Sequence, residues 1–181
     1  MGCLGLHIAL TDEQRLKLLD LDNDDDRIGY VSEDIEGAWD EKYLVETDKA
    51  WDAIHRCLSD FPPFTPEFYP QPGVDRAYAL PEDHGTYPLK VCVLGGKKLM
   101  DDESRHFLRL IEPNEVIDAA AALENIDKAW LTDKYWTHCE GAWPEYGEED
   151  VEYTWDYFQN MRDFFRAMAG NGRAVLFTAP Q

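Results

Sequence analysis

DVEYTWDYFQNMRDFFRAMAGNGRAVLFT, residues 150–178, carries the strongest fold signal in this chain. Its large apolar side chains recur at spacings of three and four residues and form one stripe: Val151, Trp155, Phe158, Met161, Phe165 and Met168. Such a stripe of aromatic and methionine side chains is typical of a helix that faces a core. The Gly-Asn-Gly at 170–172 then provides a left-handed helix stop, and the apolar run 173–178 predicts a strand. We therefore expect a core helix over about 150–169 that returns into a C-terminal strand.

A second strand is predicted at the opposite end of the chain. Residues 3–10, CLGLHIAL, are short and apolar, and the motif TDEQ at 11–14 follows them. That motif has the pattern of a capping box, in which the side chains of its first and fourth residues bond each other's backbone amides. A helix is therefore expected over 11–21. Strands at both ends with helices between them predict an α+β fold: a single compact domain over 1–181, in which a small mixed sheet includes both terminal strands and is packed with several helices.

Further elements are predicted between these ends. A helix over 48–59, capped by Thr47, has one continuous apolar face, and Asp52 and Arg56 are expected to form an exposed ion pair off that face. The remaining elements are a strand or short buried segment at 89–94, a strand at 106–111, a helix that begins at Glu112-Pro113 and a helical pattern over 127–137.

The segment 61–73 differs in composition from the rest of the chain. It contains five prolines interleaved with four aromatic residues. Proline fixes φ and removes a hydrogen-bond donor, so this segment is neither a helix nor a central strand. We expect an extended loop that its aromatic side chains hold against the body of the protein.

Composition and charge exclude several classes of protein. The 181 residues are 44% hydrophobic and 13% aromatic, which is too rich in core-forming residues for a disordered chain. Lys and Arg total 17 against 37 Asp and Glu, a formal net charge of −20. Binding to nucleic acid or to an anionic membrane surface needs a basic footprint, so neither is expected. The charge does allow a basic protein as a partner.

The cysteines and the apolar runs bear on the compartment. No apolar run approaches the ~18 residues of a membrane span, and the N-terminus lacks the features of a secretory signal. The four cysteines lie far apart and include no CxxC pair: Cys3, Cys57, Cys92 and Cys139. We interpret them as reduced, mostly buried thiols of a cytoplasmic protein.

Several motifs also run in a characteristic order along the chain. They are LTDEQ at 10–14, DKAW at 48–51 followed by IH at 54–55, LGG at 94–96, PNEV at 113–116 and GRAVL at 172–176. In this order they resemble the YfbM-like proteins, a bacterial family whose domain has no known function. The loop 61–73 and the acidic run 20–26 depart from the pattern of that family. The resemblance implies a compact α+β fold and a bacterial, cytosolic home, and it implies no activity.

The helix that contains His55 provides the candidate site. Asp48, Trp51 and His55 are spaced so that their side chains project along one helix face. A carboxylate, an indole and an imidazole that titrates near neutral pH could together bind and polarise a small ligand. The alternative is that Trp51 anchors the core while His55 donates a hydrogen bond to a neighbouring carbonyl. The sequence offers no nucleophile or metal to complete a catalytic site.

A metal or phosphate site is not supported by the other motifs. Three alternating aspartates within the run 20–26, with Glu33 at the twelfth position, resemble the oxygen ligands of a calcium loop. Arg27, however, stands where that loop needs glycine, so a solvated acidic loop is favoured. The GGKK at 95–98 lacks the remainder of a phosphate-binding loop and indicates a tight turn with an exposed lysine pair. The five histidines include no HExxH pair and no serine lies in GxSxG, so no metal and no cofactor are expected.

Two hypotheses for the function follow. The first is a binding or interaction protein whose acidic surface meets a basic protein partner. The second is a small-molecule-binding protein or an enzyme with a site around Asp48, Trp51 and His55. The sequence favours the first hypothesis and leaves the oligomeric state open.

Overall fold

The computed structural model describes residues 4–38, 40–60, 84–100, 106–139 and 147–180. Its strands are β1 Gly5–Leu10, β2 Leu44–Asp48, β3 Lys97–Lys98, β4 His106–Ile111 and β5 Ala174–Pro180. Its α-helices are α1 Asp12–Asp20, α2 Asp24–Gly29, α3 Ala50–Ser59, α4 Pro113–Leu123, α5 Lys128–His138 and α6 Glu148–Asn171. A π-helical turn, Tyr30–Ile35, and a 3-10 turn, Glu36–Ala38, follow α2, and a second 3-10 turn covers Leu89–Cys92.

The strands form one five-stranded sheet in the order β2-β1-β5-β4-β3, and every pairing among the described residues is antiparallel. The terminal strands β1 and β5 are neighbours, with His7 opposite Phe177. The predicted α+β fold with both terminal strands in one sheet is therefore confirmed. The expectation of a mixed sheet is wrong, because the pattern of an apolar run does not record the direction of a strand.

Helical layers cover both faces of the sheet. Alternate residues of β1 illustrate the division, since Ala9 packs into the core under α3 to α6, whereas Ile8 and Leu10 pack against the other layer. That second layer consists of α1, α2 and the two turns after α2, and Leu18 and Val31 are among its buried side chains. The sheet therefore separates two cores.

The long C-terminal helix and the strand that follows it are confirmed. Six predicted stripe positions lie in α6, and four of them are fully or almost fully buried: Phe158, Met161, Phe165 and Met168. Gly172 ends the helix at φ 65°, a left-handed conformation that glycine adopts without steric cost. The chain then enters β5 at once.

The capping box is also confirmed, whereas the solvated loop expected for the acidic run 20–26 is wrong for the second half of the run. The Thr11 hydroxyl accepts the Gln14 amide at 3.1 Å, and the Gln14 side chain accepts the Thr11 amide at 2.8 Å. α1 ends at Asp20, but Asp24 to Asp26 form the first turn of α2 instead of a solvated loop. Three carboxylates at a helix N-terminus suit the positive end of the helix dipole, which explains the extra helix.

Two local predictions around α3 are wrong, and at 89–94 the second of the two predicted alternatives is found. Thr47 does not cap α3, because its buried hydroxyl donates to the Gly5 carbonyl at 3.1 Å and the helix starts only at Ala50. Asp52 and Arg56 form their ion pair inside the protein, at 1% and 0% exposure. The apolar run 89–94 is a buried segment as expected, but it begins as a 3-10 turn and contains no strand. A short apolar run does not distinguish these conformations.

The proline-rich loop 61–73 lies outside the described residues. So do Cys3, at the beginning of the first predicted strand, and the acidic residues 101–103. Among the helices that are described, none combines the length and the apolar character that a membrane span requires.

Candidate functional site

Asp48 stands at the junction between β2 and α3. Its backbone has φ 43°, a left-handed conformation that is uncommon outside glycine. The Tyr157 hydroxyl of α6 lies 3.4 Å from its carboxylate and donates to it. The Tyr153 hydroxyl, which also bonds Asp48, accepts the Lys49 amide at 3.3 Å. Asp48 is therefore a half-buried carboxylate held against two tyrosines.

These two tyrosines take their electrostatic character from Asp48. Burial, followed by the charge of Asp48, raises the pKa of Tyr157. Burial and the hydrogen bond to Asp48 raise the pKa of Tyr153 strongly. The rings meet edge to face with centroids 4.8 Å apart. Both phenols are therefore neutral hydrogen-bond donors at physiological pH.

Trp51 is a core residue. Its side chain is 3% exposed, and its ring lies 5.7 Å from the rings of both Phe107 and Phe177. A Cβ atom at Gly5 would come within 2.7 Å of the Trp51 ring, so β1 needs glycine there to let the indole approach the sheet. Trp51 thus fastens α3 to the sheet, as the structural alternative in the sequence analysis expects.

His55 is fully enclosed. It is 0% exposed, and neither ring nitrogen has a hydrogen-bond partner among the described residues. Burial, then the nearby charges of Arg56, Arg109 and His84, lower the pKa of His55 to about 3. The imidazole is therefore neutral at physiological pH, and the hydrogen bond to a carbonyl that the sequence analysis considered is not formed with any described residue.

The structure gives these three side chains different surroundings. Asp48 faces the tyrosines of α6, Trp51 contacts aromatic rings of the sheet, and His55 lies near buried arginines. The predicted shared helix face is therefore wrong for Asp48, which ends β2 with a left-handed backbone, whereas Trp51 and His55 do lie on α3. The described contacts of the three side chains do not include one another. A ligand that touched all three would have to enter the core around Trp51.

The polar neighbours of His55 were missed by the sequence analysis. The Arg56 Nε donates to both carboxylate oxygens of Asp52, at 3.2 and 3.1 Å. Arg109 projects from β4 into the same side of the sheet, where its Nε donates to the Leu94 carbonyl at 3.1 Å. Two arginines at 0% and 1% exposure are unusual, since arginine is almost never fully buried unless it is paired, as both are here.

One signal in the sequence could have located Arg109. In the strand HFLRLI, residues 106–111, Leu108 and Leu110 face the second core. Arg109 lies between them, so its side chain projects from the opposite face of the sheet. Its neighbours in the alternation, Phe107 and Ile111, face the core under α3 to α6. An arginine in an otherwise apolar strand therefore predicts a buried charge on that face.

The second surface of interest is the outside of the layer formed by residues 12–38, which we call the acidic layer. It contains ten Asp and Glu residues and three Arg and Lys residues, and eight of the ten acidic residues are exposed. Each of the three cations has an acidic partner within the protein. The pairs are Arg15 with Glu112 at 3.1 Å, Lys17 with Asp34 at 4.0 Å and Arg27 with Asp24 at 3.5 Å.

Several carboxylates of the acidic layer remain outside these pairs. Among the described residues, the following take part in no ion pair: Glu13, Asp20, Asp22, Asp25 and Glu33. Leu16 lies on the same layer and, at 57%, is the most exposed large apolar side chain described. The layer therefore presents negative charge around an exposed aliphatic side chain.

The remaining motifs are the acidic run and the glycine turn at 95–98, both among the described residues. No group of three or more His, Cys, Asp or Glu side chains there could hold a metal ion. The chain bends at Gly95 and Gly96 as predicted, but the lysine pair forms β3, and Lys98 is half-buried instead of exposed. A Cβ atom at Gly96 would come within 2.7 Å of the Leu110 carbonyl oxygen. Glycine is needed at that position because the chain passes closely over β4, and the packing explains it without a bound phosphate.

An antiparallel five-stranded sheet between two helical layers, with charged side chains buried under one layer, defines the class of α+β protein to which this chain belongs. The chain is a member of the family described as a domain of unknown function (DUF1877), whose profile matches residues 1–178.

A solved structure has the same fold. It is the protein of unknown function YfbM from Escherichia coli, with a TM-score of 0.65 and 19% sequence identity over 97% of this chain and 99% of that chain. The similarity confirms the YfbM-like fold that the motif order predicts. No curated protein matches the chain by sequence.

Proposed function

We propose that this protein is an interaction protein that binds a basic protein partner through the acidic layer. The observation that carries the proposal is the set of exposed carboxylates there that no described cation pairs with. Like charges gathered on one face raise the potential over that face and steer an oppositely charged partner towards it. A basic protein would bring the cations that the layer itself does not supply.

The exposed Leu16 supports the same face. An interface needs apolar contact area near its centre as well as charge at its rim. Leu16 lies on α1 between Glu13 and Asp20, which are three and four residues away and so share its side of the helix. The partner would cover this leucine and surround it with lysine or arginine side chains.

The test compares two variants of equal charge. In the first, Asp20→Asn, Asp22→Asn and Glu33→Gln remove three exposed carboxylates of the acidic layer. In the second, Asp133→Asn, Asp156→Asn and Glu46→Gln remove the same residue types from exposed positions on α5, α6 and β2. Proteins captured at low salt from a lysate of the source organism are identified, and each purified basic candidate is then titrated against all three proteins.

The acidic-layer variant is expected to bind at least tenfold more weakly than the wild type, and the matched variant to bind within about twofold of it. Raising the ionic strength should weaken wild-type binding as the charges become screened. Equal losses in both variants would show a response to net charge alone. That result, or the absence of any basic protein that binds, would refute the proposal.

A second candidate function is small-molecule binding at His55, including the Asp48 and Trp51 that the sequence analysis placed with it. The specific observation in its favour is a fully buried imidazole with no described hydrogen-bond partner. Leaving a buried polar group unsatisfied costs about 1–3 kcal/mol, and a bound ligand would remove that cost.

Native mass spectrometry of the purified protein tests the second candidate. A reproducible additional mass that disappears in His55→Ala, while the melting temperature changes by only a few degrees, would support it. A loss of stability in His55→Ala with no bound mass in the wild type would contradict it.

We also propose a cytoplasmic location. The free thiols of Cys57, Cys92 and Cys139 support it, because reducing compartments maintain cysteines in this state.

A further inference from the structure

Two buried thiols meet where α3 packs against α5. Cys57 belongs to α3, and its Sγ lies 4.0 Å from the Leu131 carbonyl oxygen of α5. Cys139 ends α5, and its Sγ lies 3.9 Å from the Ala53 carbonyl oxygen of α3. Each sulfur thus contacts the backbone of the helix that carries or precedes the other, so both thiols lie in the same interface between α3 and α5. The Cys57 thiol is close enough to help raise the pKa of the Cys139 thiol.

The pair is enclosed and reduced. Cys57 is 0% and Cys139 is 1% exposed, and both are free thiols. The third described cysteine, Cys92, is equally buried but belongs to a different segment, where its carbonyl oxygen lies 2.7 Å from the His7 Nε2. The chain therefore contains a thiol pair and a comparable single thiol in the same core.

We propose that Cys57 and Cys139 form a modification site, a dithiol that a small hydroperoxide such as hydrogen peroxide oxidises to a disulfide linking α3 to α5. A disulfide needs its two sulfurs at about 2 Å and its Cβ atoms at about 4 Å. Two thiols that each lie against the backbone of the opposite helix, within one packed interface, require only a local adjustment to reach that geometry. Residues this far apart in sequence gain proximity only in the folded protein.

The reaction takes place in two steps. The thiolate of one cysteine attacks an oxygen of hydrogen peroxide; the O–O bond breaks, a sulfenic acid forms, and hydroxide leaves and takes up the thiol's proton as water. The second sulfur then attacks the sulfenic sulfur; the S–S bond forms, the S–O bond breaks, and a second water leaves with the second proton. Two electrons pass from the two sulfurs to the peroxide.

Burial sets the selectivity of the site. Removal from water raises the pKa of the Cys139 thiol well above its usual range, so the reactive thiolate is scarce at neutral pH. The oxidation should therefore be slower than that of an exposed cysteine and should accelerate as the pH rises. Hydrogen peroxide is small and uncharged, whereas glutathione disulfide is too large to enter the packed interface between the helices.

The experiment uses the full chain with Cys3→Ala, so that the three described cysteines remain. The folded protein is treated with hydrogen peroxide, unfolded, alkylated and analysed by intact mass and by peptide mapping. We expect a loss of about 2 Da from the two hydrogens removed, a peptide crosslinked through Cys57 and Cys139, and alkylation of Cys92. Dithiothreitol should reverse the change.

Matched variants separate the pair from general oxidation. Cys57→Ala and Cys139→Ala should lose the crosslink, and Cys92→Ala should retain it. Alkylation of all three cysteines, stepwise oxygen addition without a crosslink, or a crosslink through Cys92 would overturn the proposal.

Refolding gives a second measurement that does not depend on access of peroxide to the core. The reduced, unfolded chain is refolded in a glutathione redox buffer. The disulfide between Cys57 and Cys139 should predominate over the two pairings that involve Cys92, and it should raise the melting temperature by several degrees because it closes a long loop. Random pairing, or a lower melting temperature of the crosslinked protein, would overturn the inference that the native packing accommodates this bond.

Discussion

The two layers that cover the sheet differ in where they place their charges. The acidic layer turns its carboxylates outwards and buries only uncharged side chains such as Leu18 and Val31. The layer of α3 to α6 encloses Asp52, Arg56 and Arg109 at no more than 1% exposure. Most charged residues of the first layer therefore meet solvent, whereas these three charged residues of the second are enclosed in the core. Mutations of the same chemical type should have very different effects on the two sides of the sheet.

The largest effect is expected from breaking the ion pair inside the core. Arg56→Met removes the guanidinium that pairs with Asp52 at 3.1 Å and leaves a buried carboxylate without it. Removing one partner of a buried pair costs about 3–5 kcal/mol. We expect the free energy of unfolding in urea to fall by that amount. The double variant Asp52→Asn/Arg56→Met should recover part of the loss, and a double variant less stable than Arg56→Met would contradict this explanation.

A smaller effect for each residue is expected from acid. Burial lowers the pKa of His7 to about 4 and, with its cationic neighbours, that of His55 to about 3, both from 6.5. The unfolded chain therefore takes up protons first as the pH falls. The stability present above pH 6.5 is lost progressively down to about pH 4 for His7 and about pH 3 for His55. Between pH 7 and pH 5, each histidine should lower the free energy of unfolding by roughly 2 kcal/mol.

The variant His55→Leu tests how much of this pH dependence comes from the imidazole of His55. Between pH 7 and pH 5 the free energy of unfolding decreases in both proteins. The decrease in the variant should be about 2 kcal/mol smaller than the decrease in the wild type. Ile54→Val, a buried change at the neighbouring position without a titratable group, should keep the wild-type dependence. The same dependence in His55→Leu and in the wild type would show that this imidazole is not buried in its neutral form.

The acidic layer should respond more weakly even where a defined hydrogen bond is removed. Thr11→Ala deletes the hydroxyl that accepts the Gln14 amide at the start of α1. Loss of such a cap costs about 1 kcal/mol. Chemical denaturation should detect this loss, and Thr11→Ser, which keeps the hydroxyl, should stay close to the wild type. A loss comparable to that of Arg56→Met would contradict the contrast between the layers.

The elements that could be predicted from sequence are those fixed by local chemistry. The capping box at Thr11 and the apolar stripe of α6 depend on residues within a few turns of each other. The predictions that were wrong depend on contacts distant in sequence. Thr47 bonds Gly5 instead of its own helix, and Asp52 and Arg56 are buried because other elements cover α3. No local sequence pattern specifies which distant elements will pack over α3.

The candidate site shows the same limit. Helical spacing could place Trp51 and His55 on α3, but it wrongly extended the helix to Asp48, which ends β2. The separate surroundings of the three side chains depend on α6, the sheet and Arg109. Arg109 belongs to a strand that follows His55 by more than fifty residues. Its proximity to His55 is a property of strand order, which an isolated sequence pattern does not specify.

The smallest effect on stability is expected from Asp20→Asn, Asp22→Asn and Glu33→Gln together. These side chains are exposed and take part in no described ion pair, so their removal breaks no contact that holds the fold. It also relieves repulsion within a layer that is strongly negative. The free energy of unfolding should therefore stay within about 0.5 kcal/mol of the wild type. Denaturation at low and at moderate salt checks this, because any relief of repulsion should be larger at low salt. A loss above about 1 kcal/mol would mean that these carboxylates support the fold. An unchanged stability, together with weakened binding of a basic protein, would separate the interaction surface from the packing that the opposite layer provides.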